Sequence, residues 1–564
     1  MAWLLLCLVA SAAPTAAIPG GLLGPRPGLA AFDWSWPAGG AWLAPPPGNL
    51  ASTRLEACAP SVFGAPPRGP GSTPWEENLA PQKDAWNTAH GGLDGARPFL
   101  RERLRAWPER LLIDRRTLPT ADADLLVRLA RDTWLGLDAF TDRENGLPLD
   151  RISFGPTSTA VEVASIGDYT SPTDIGLYMM AVVGATDLGF ITVPDATARL
   201  QRILATLDRL PTFEGFFFNY YDTTTLERTS SFLSFVDSAW LTAGLIVVRN
   251  AFPELADQAS RLIGATDYGF FYDRDARLVS HGYSLATGSR AGFHYGVLYT
   301  EARLGVLLAI GKGDVPAATW FHMLRTFPPS CGWQTLQPQD IHTVVLDGVP
   351  VSGGTYTWGG FRYVPSWGGS MVEALMPVLA LDELRYAPAS LGINGVVHAM
   401  VQQHFAANQL GYPVWGLSPS SATDGTGYGE FGARVLGTRG YDPGPISPHA
   451  AALAIMVTPE AAIANLRQLV ERYDAYGEYG LYDAVDPRSG TVAYKYLELD
   501  QAMLFLALAN HLGDHSIQRH FAADPIVDAV LPMLAADRFF DGTDPLPPLC
   551  LAAPTRLTEL PAAQ

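Results

Sequence analysis

From about residue 120 onward, apolar positions recur at helical spacing in segments of roughly 9 to 18 residues. The pattern predicts helices over 121–137, 175–188, 196–210, 234–251, 295–310, 369–384, 393–407, 448–456, 459–473 and 497–512. Strand signals are few. Between the helices lie long Gly- and aromatic-rich stretches, 211–230, 264–293, 327–368 and 411–446, which read as loops. Loops of that length in a compact domain usually carry function.

Four acids break this pattern. Asp237, Glu301, Glu373 and Asp500 each interrupt an apolar stripe, where a charged side chain is seldom buried without a partner. Each alone can be an ion-paired structural residue. Together they suggest several helices aiming carboxyl groups at one interior, the pattern of a cleft that moves protons. Such convergence favours helical hairpins closed into an all-α toroid over an open helical solenoid, which would spread the acids out.

Composition narrows the partners. A chain of 564 residues with 48% hydrophobic content can bury a large core. Its formal charge of −18 argues against nucleic acid or an anionic membrane surface as the main partner and leaves a neutral ligand open. Fourteen Trp and 21 Tyr offer flat surfaces that stack on sugar rings, although each is as readily explained as core. Residues 1–17 resemble a secretory signal peptide, with an apolar run and small residues at Ala13 and Ala17, so export to the periplasm or outside the cell is expected. No later stretch is long and unbroken enough to span a bilayer. Residues 18–119 form a Pro/Gly-rich arm and lead-in, 120–540 the main domain and 541–564 a tail. Beyond the signal, Cys58, Cys331 and Cys550 allow at most one intramolecular disulfide.

Glycoside hydrolysis usually requires two carboxyl groups, one protonated to assist the leaving oxygen and one ionised. Glu301 on an apolar face suits the acid, because burial raises a carboxyl pKa. In the loop from Glu478 to Pro487, Asp486 reads as a turn residue, Glu478 as a solvated acid, and Asp483 as the better candidate for a base. Tyr220, Tyr221 and Asp222 ahead of Asp237, together with Trp358, Trp367, Trp415 and Tyr428 beside glycines, supply candidate sugar-binding surfaces. Phosphate loops, zinc-protease motifs and nucleophile elbows do not occur, and His294 and His322 read as structural.

The ordered segments Ser171-Pro172-Thr173-Asp174, Phe218-Asn219-Tyr220-Tyr221-Asp222, Val236-Asp237-Ser238, Thr300-Glu301-Ala302-Arg303, Ser366-Trp367-Gly368-Gly369-Ser370-Met371-Val372-Glu373, Trp415-Gly416-Leu417-Ser418, Tyr479-Gly480-Leu481-Tyr482-Asp483 and Leu499-Asp500-Gln501 resemble the glycoamylase-like domain. That domain is shared by bacterial endo-β-1,2-glucanases and the cyclisation region of cyclic β-1,2-glucan synthases. The resemblance spans about 120–535 and implies an (α/α)6 barrel acting on β-1,2-glucan without cofactor or metal. It implies Glu301 as general acid and Asp483 as general base of an inverting, endo-acting glycoside hydrolase. Asp174, Tyr220, Tyr221, Asp222, Asp237, Arg303, Trp358, Trp367, Glu373, Trp415, Tyr428 and Asp500 would contact or support the substrate. Asp500-Gln501 lacks the Gly-Pro that follows in the hydrolases, and Ser171-Pro172-Thr173 is closer to the synthase, whose chemistry is retaining. A retaining transglycosylase and a non-catalytic carbohydrate-binding toroid are the alternatives.

Overall fold

The computed structural model describes residues 99–155, 161, 164–425, 427–540 and 545, all within one unit running from 57 to 545. The signal peptide, most of the Pro-rich arm and nearly all of the tail lie outside the described residues.

Eleven helices carry the argument: α1 (Asp122–Ala139), α2 (Pro172–Asp187), α3 (Val193–Leu207), α4 (Phe235–Ala251), α5 (Ala256–Gly264), α6 (Arg303–Gly311), α7 (Met371–Leu375), α8 (Ile393–Phe405), α9 (Pro448–Leu453), α10 (Pro459–Arg472) and α11 (Glu498–Leu512). They fall into two kinds. Helices α2, α4, α6 and α11 are apolar nearly all round, with only Asp174, Asp237, Arg303, Glu498 and Asp500 as charges in their buried stretches or first turns. Helices α3, α5 and α10 bury one stripe and expose the other, as a surface helix does. The chain alternates between the two kinds, so core helices are joined through covering ones.

Neighbouring core helices run parallel. Thr173 in the first turn of α2 donates to Asp237 in the first turn of α4 at 2.5 Å. One turn on, the two backbones touch: a Cβ on Gly176 would stand 2.4 Å from the Trp240 carbonyl, and one on Gly244 2.4 Å from the Gly176 carbonyl. Only glycine permits that approach. Against α11, α2 sets Gly184 on Ala509 and Phe505, while Asp174 lies beside Glu498 at the other end.

Three expectations need correction. The segment 369–384 is not one helix: α7 ends at Leu375, a 3-10 turn holding Pro377 covers Met376–Leu379, and a separate short helix covers Glu383–Tyr386. The segment 295–310 is not one helix; α6 begins at Arg303, and Glu301 sits in the turn ahead of it. The described residues hold nine small antiparallel sheets, four of them lying wholly within stretches read as loops. The longest pairing is the hairpin Gln339–Leu346 with Val349–Trp358, closed by Asp347 and Gly348, both at positive φ. An Asp-Gly pair suits such a two-residue turn.

Candidate active site

Each core helix delivers a polar group at its N-terminal end. Asp174, Asp237, Glu373 and Asp500 all occupy the third position of their helices, and Ser171, Ser234 and Ser370 precede the first three as N-caps. Ser171 with Asp174 and Ser370 with Glu373 complete reciprocal capping boxes. Glu301 precedes α6, and His449 lies in the first turn of α9. The positive end of a helix stabilises a carboxylate there, which explains how so many acids share one region.

Glu301 is half-buried, and burial raises its pKa to about 7, with the charge of Glu373 adding to the rise. Glu373 accepts from Ser366 Oγ at 2.7 Å and from the backbone N–H groups of Gly368, Gly369 and Ser370 at 2.9 to 3.2 Å. Burial still pushes Glu373 upward, but four donors oppose it and favour the ionised form. The glycines make this cradle possible. A Cβ on Gly368 would lie 2.0 Å from the Tyr441 ring, and Gly369 is at φ +81° with the Ala433 carbonyl 2.2 Å from where a Cβ would be. Tyr295, buried with no hydrogen-bond partner for its hydroxyl, stands within electrostatic reach of Glu301 and Asp237. Tyr441 does so for Glu373, Glu430 and Glu301.

Asp483 lies in the bend between the strands Gly480–Leu481 and Ala484–Val485, 1% exposed, with Oδ2 accepting from the Ser421 backbone N–H at 2.7 Å. Pairing of Val485 with Ile446 brings α9 alongside, and α9 packs on α11. Asp483, Asp500 and His449 thereby meet, each offering one atom within 4.8 Å of the others. Burial and mutual repulsion push Asp483 well above the carboxylate range, and burial raises Asp500 to about 7. Asp500 thus opposes ionisation of Asp483, and the two titrate as a pair. A fixed N–H from Ser421 and the adjacent His449 favour the negative charge on Asp483. Burial lowers the His449 pKa to about 4, so its imidazole is neutral. Tyr428, 37% exposed, stands within electrostatic reach of Asp500, Asp483 and Glu430, and Glu430 is likewise within reach of Tyr441.

Other sequence candidates are placed differently. Arg303 is fully buried and pairs with Glu383 at 2.7 and 2.9 Å while donating to the carbonyls of Thr300, Glu373 and Ala374. It is a structural anchor and no sugar contact. Tyr221, fully buried, uses its hydroxyl between Phe218 N and the Pro211 carbonyl. Asp222 caps the turn at Thr224 and Thr225. Both are therefore occupied within their loop. Tyr220 is half-buried edge-on to Tyr169. Trp358 meets Phe405 edge-on, and Trp367 packs on Trp333 beside the disulfide-bonded Cys331. Trp415 is 6% exposed, its backbone held on both sides by Asn465. Asp486 takes the turn role through Arg488 N and Ser489 Oγ, whereas Glu478, read as a solvated acid, receives the N–H groups of Glu109 and Arg110. His294 bonds Asp273 at 3.0 Å. The residues missed from sequence are Tyr295, Tyr441, His449 and Glu498; of these, His449 in the otherwise apolar run Pro448-His449-Ala450-Ala451-Ala452-Leu453 gave a readable signal.

Comparison with known proteins bears on the whole arrangement. Residues 353–525 match the glycoamylase family, described as "Putative glucoamylase", and residues 128–291 match a family of unknown function, DUF3131. The cyclic β-(1,2)-glucan synthase NdvB of Rhizobium meliloti is 25% identical over 73% of this chain. The matched region is 19% of that relative's length. Among solved structures, the endo-β-1,2-glucanase of Chitinophaga pinensis, in complex with sophorotriose and glucose, superposes with a TM-score of 0.57 at 18% identity, covering 74% of this chain and 98% of that one. The β-1,2-glucanase of Parabacteroides distasonis gives 0.60 at 18% identity, over 74% of this chain and 61% of that one. Residues 353–525 are thus similar to the glycoamylase family, and the chain shares the fold of solved β-1,2-glucanases.

Proposed function

We propose that the protein is a glycoside hydrolase that cleaves β-1,2-linked glucan, endo-acting and inverting, at the acid-lined end of an (α/α)6 barrel. In this reading α2, α4, α6, α7, α9 and α11 form the inner ring. The observation that carries it is Glu301, a carboxyl group whose pKa is raised to about 7 by burial and by neighbouring Glu373, in a region walled by acids and tyrosines. Glu301 delivers a proton to the glycosidic oxygen, directly or through a substrate hydroxyl, as the bond to the anomeric carbon breaks. Asp483 takes a proton from the attacking water on the other face. Asp174, Asp237, Glu373 and Asp500 hold sugar hydroxyls or orient the pair. The names of the curated relative and of the solved neighbours support the linkage. The disulfide at buried Cys331 supports export, since such bonds persist in oxidising compartments.

A retaining transglycosylase is the second reading, favoured by the synthase relative. Incubation with linkage-defined glucans, product sizing and time-resolved NMR of the first anomer tests both. Shortening of β-1,2-glucan alone, through intermediate sizes and with the α-anomer appearing first, is expected. First release of the β-anomer selects the transglycosylase. Tight glycan binding with no new reducing ends would overturn catalysis altogether.

A further inference from the structure

His449, Asp483 and Asp500 are 2%, 1% and 1% exposed and come from three separate elements. His449 Nδ1 stands 3.2 Å from Asp500 Oδ2, yet neither ring nitrogen makes a hydrogen bond, and Asp500 has only the Asp483 carboxyl as a partner. Asp483 in turn has Oδ2 fixed by the Ser421 N–H and its carboxyl set against that of Asp500. Buried polar atoms without partners are rare and call for an explanation. Here the unpartnered imidazole offers an atom within 4.8 Å of both carboxyl groups.

We propose that His449, Asp483 and Asp500 form a binding site for one divalent transition-metal ion of the zinc type. One neutral imidazole and two carboxylates supply three ligands with two negative charges, and a fourth position is left for water or a sugar hydroxyl. His449 Nδ1 and Asp500 Oδ2, 3.2 Å apart, already match the roughly 3.3 Å edge of a tetrahedral site with ~2.0 Å bonds, and the widest pair in the cluster, within 4.8 Å, has to close on the ion. Imidazole and the low ligand count disfavour calcium and magnesium, which take six or more oxygens or keep much of their water. The Ser421 N–H orients Asp483 by bonding the oxygen that the ion does not need.

The ion takes Asp483 as a ligand. Occupancy therefore ties up Asp483 and stops hydrolysis; this consequence rests on the assignment of Asp483 as base, whereas binding itself does not. The site opposes a metal-free reaction and takes no part in it.

The test uses the full chain, stripped with chelator and titrated with Co2+ as a spectroscopic probe, Zn2+ serving as competitor. One equivalent of Co2+ should develop visible ligand-field bands, removed by Zn2+, with affinity falling at least ~10-fold in His449→Ala. Circular dichroism verifies that the variant is folded, and His449→Gln replaces it if it is not. Absence of the bands, or equal affinity in the folded variant, overturns the site. Stoichiometric binding with undiminished glucan hydrolysis would instead retain the site and remove Asp483 from the role of base.

Discussion

Glu301 and Arg303 are two residues apart and end in opposite roles, because only one of them finds a full set of partners. Arg303 spends its guanidinium on Glu383 and three carbonyls, so Arg303→Met should leave a buried carboxylate uncompensated and cost about 3–5 kcal/mol, read as a lowered Tm. Glu301 has no such cation and keeps its proton instead. Its neighbour Glu373 sharpens that property. In Glu373→Gln the neighbouring negative charge is gone, the ionised form of Glu301 is less penalised and its pKa falls. The alkaline limb of the kcat/KM profile should accordingly move to lower pH, while a limb that stays in place would deny that Glu373 acts on Glu301. Gln remains acceptable at the third position of a capping box, so the helix start survives the change.

At the scale of elements, parallel core helices bring their N-termini to one region, and this depends on contacts that tolerate no side chain. Gly176→Ala places a methyl group against the Trp240 carbonyl and should destabilise by about 1–3 kcal/mol, with activity lost alongside stability as α2 and α4 separate. Thermal melting combined with turnover checks it. Helices α1, α2, α4, α10 and α11 were legible within a few residues because long apolar periodicity leaves little choice. The acids were legible as anomalies, but their cause was not recognised: Ser171 with Asp174 and Ser370 with Glu373 are capping boxes, a local signal of helix starts present in the sequence. The Gln339–Trp358 hairpin went unread although Asp347-Gly348 flanked by Val344, Val345, Leu346, Val349 and Val351 is a strong turn signal. Glu301 was assigned to a helix because its flanks, Val297, Leu298 and Leu304, are apolar; the chain there instead pairs Val297 with Leu324 and turns into α6. Nothing in sequence spacing could bring Asp483, His449 and Asp500 together, since that meeting depends on the pairing of Val485 with Ile446 and the packing of α9 on α11.

For the whole molecule, a strongly acidic chain concentrates part of its charge in one region and neutralises part of that by burial. A neutral polymer fits such a site, whereas an anionic one is repelled. Carboxymethylated β-1,2-glucan should therefore be a poorer substrate than the neutral chain, with the gap narrowing at high salt; equal kcat/KM for the two polymers would contradict this. Disulfide-bonded Cys331 lies in a cluster with Phe327 and Val297, the last of which is close in sequence to Glu301. Cys331→Ser should cost about 2–4 kcal/mol in a denaturant titration.

The role of Glu301 as proton donor is tested most directly by comparing two leaving groups in Glu301→Gln. A glucan bond needs a proton on its departing oxygen; a 2,4-dinitrophenyl β-sophoroside does not. The account predicts that kcat on β-1,2-glucan falls by roughly 10²- to 10⁴-fold while the dinitrophenyl substrate is largely spared. Equal losses on both substrates, or full activity on glucan, would contradict it.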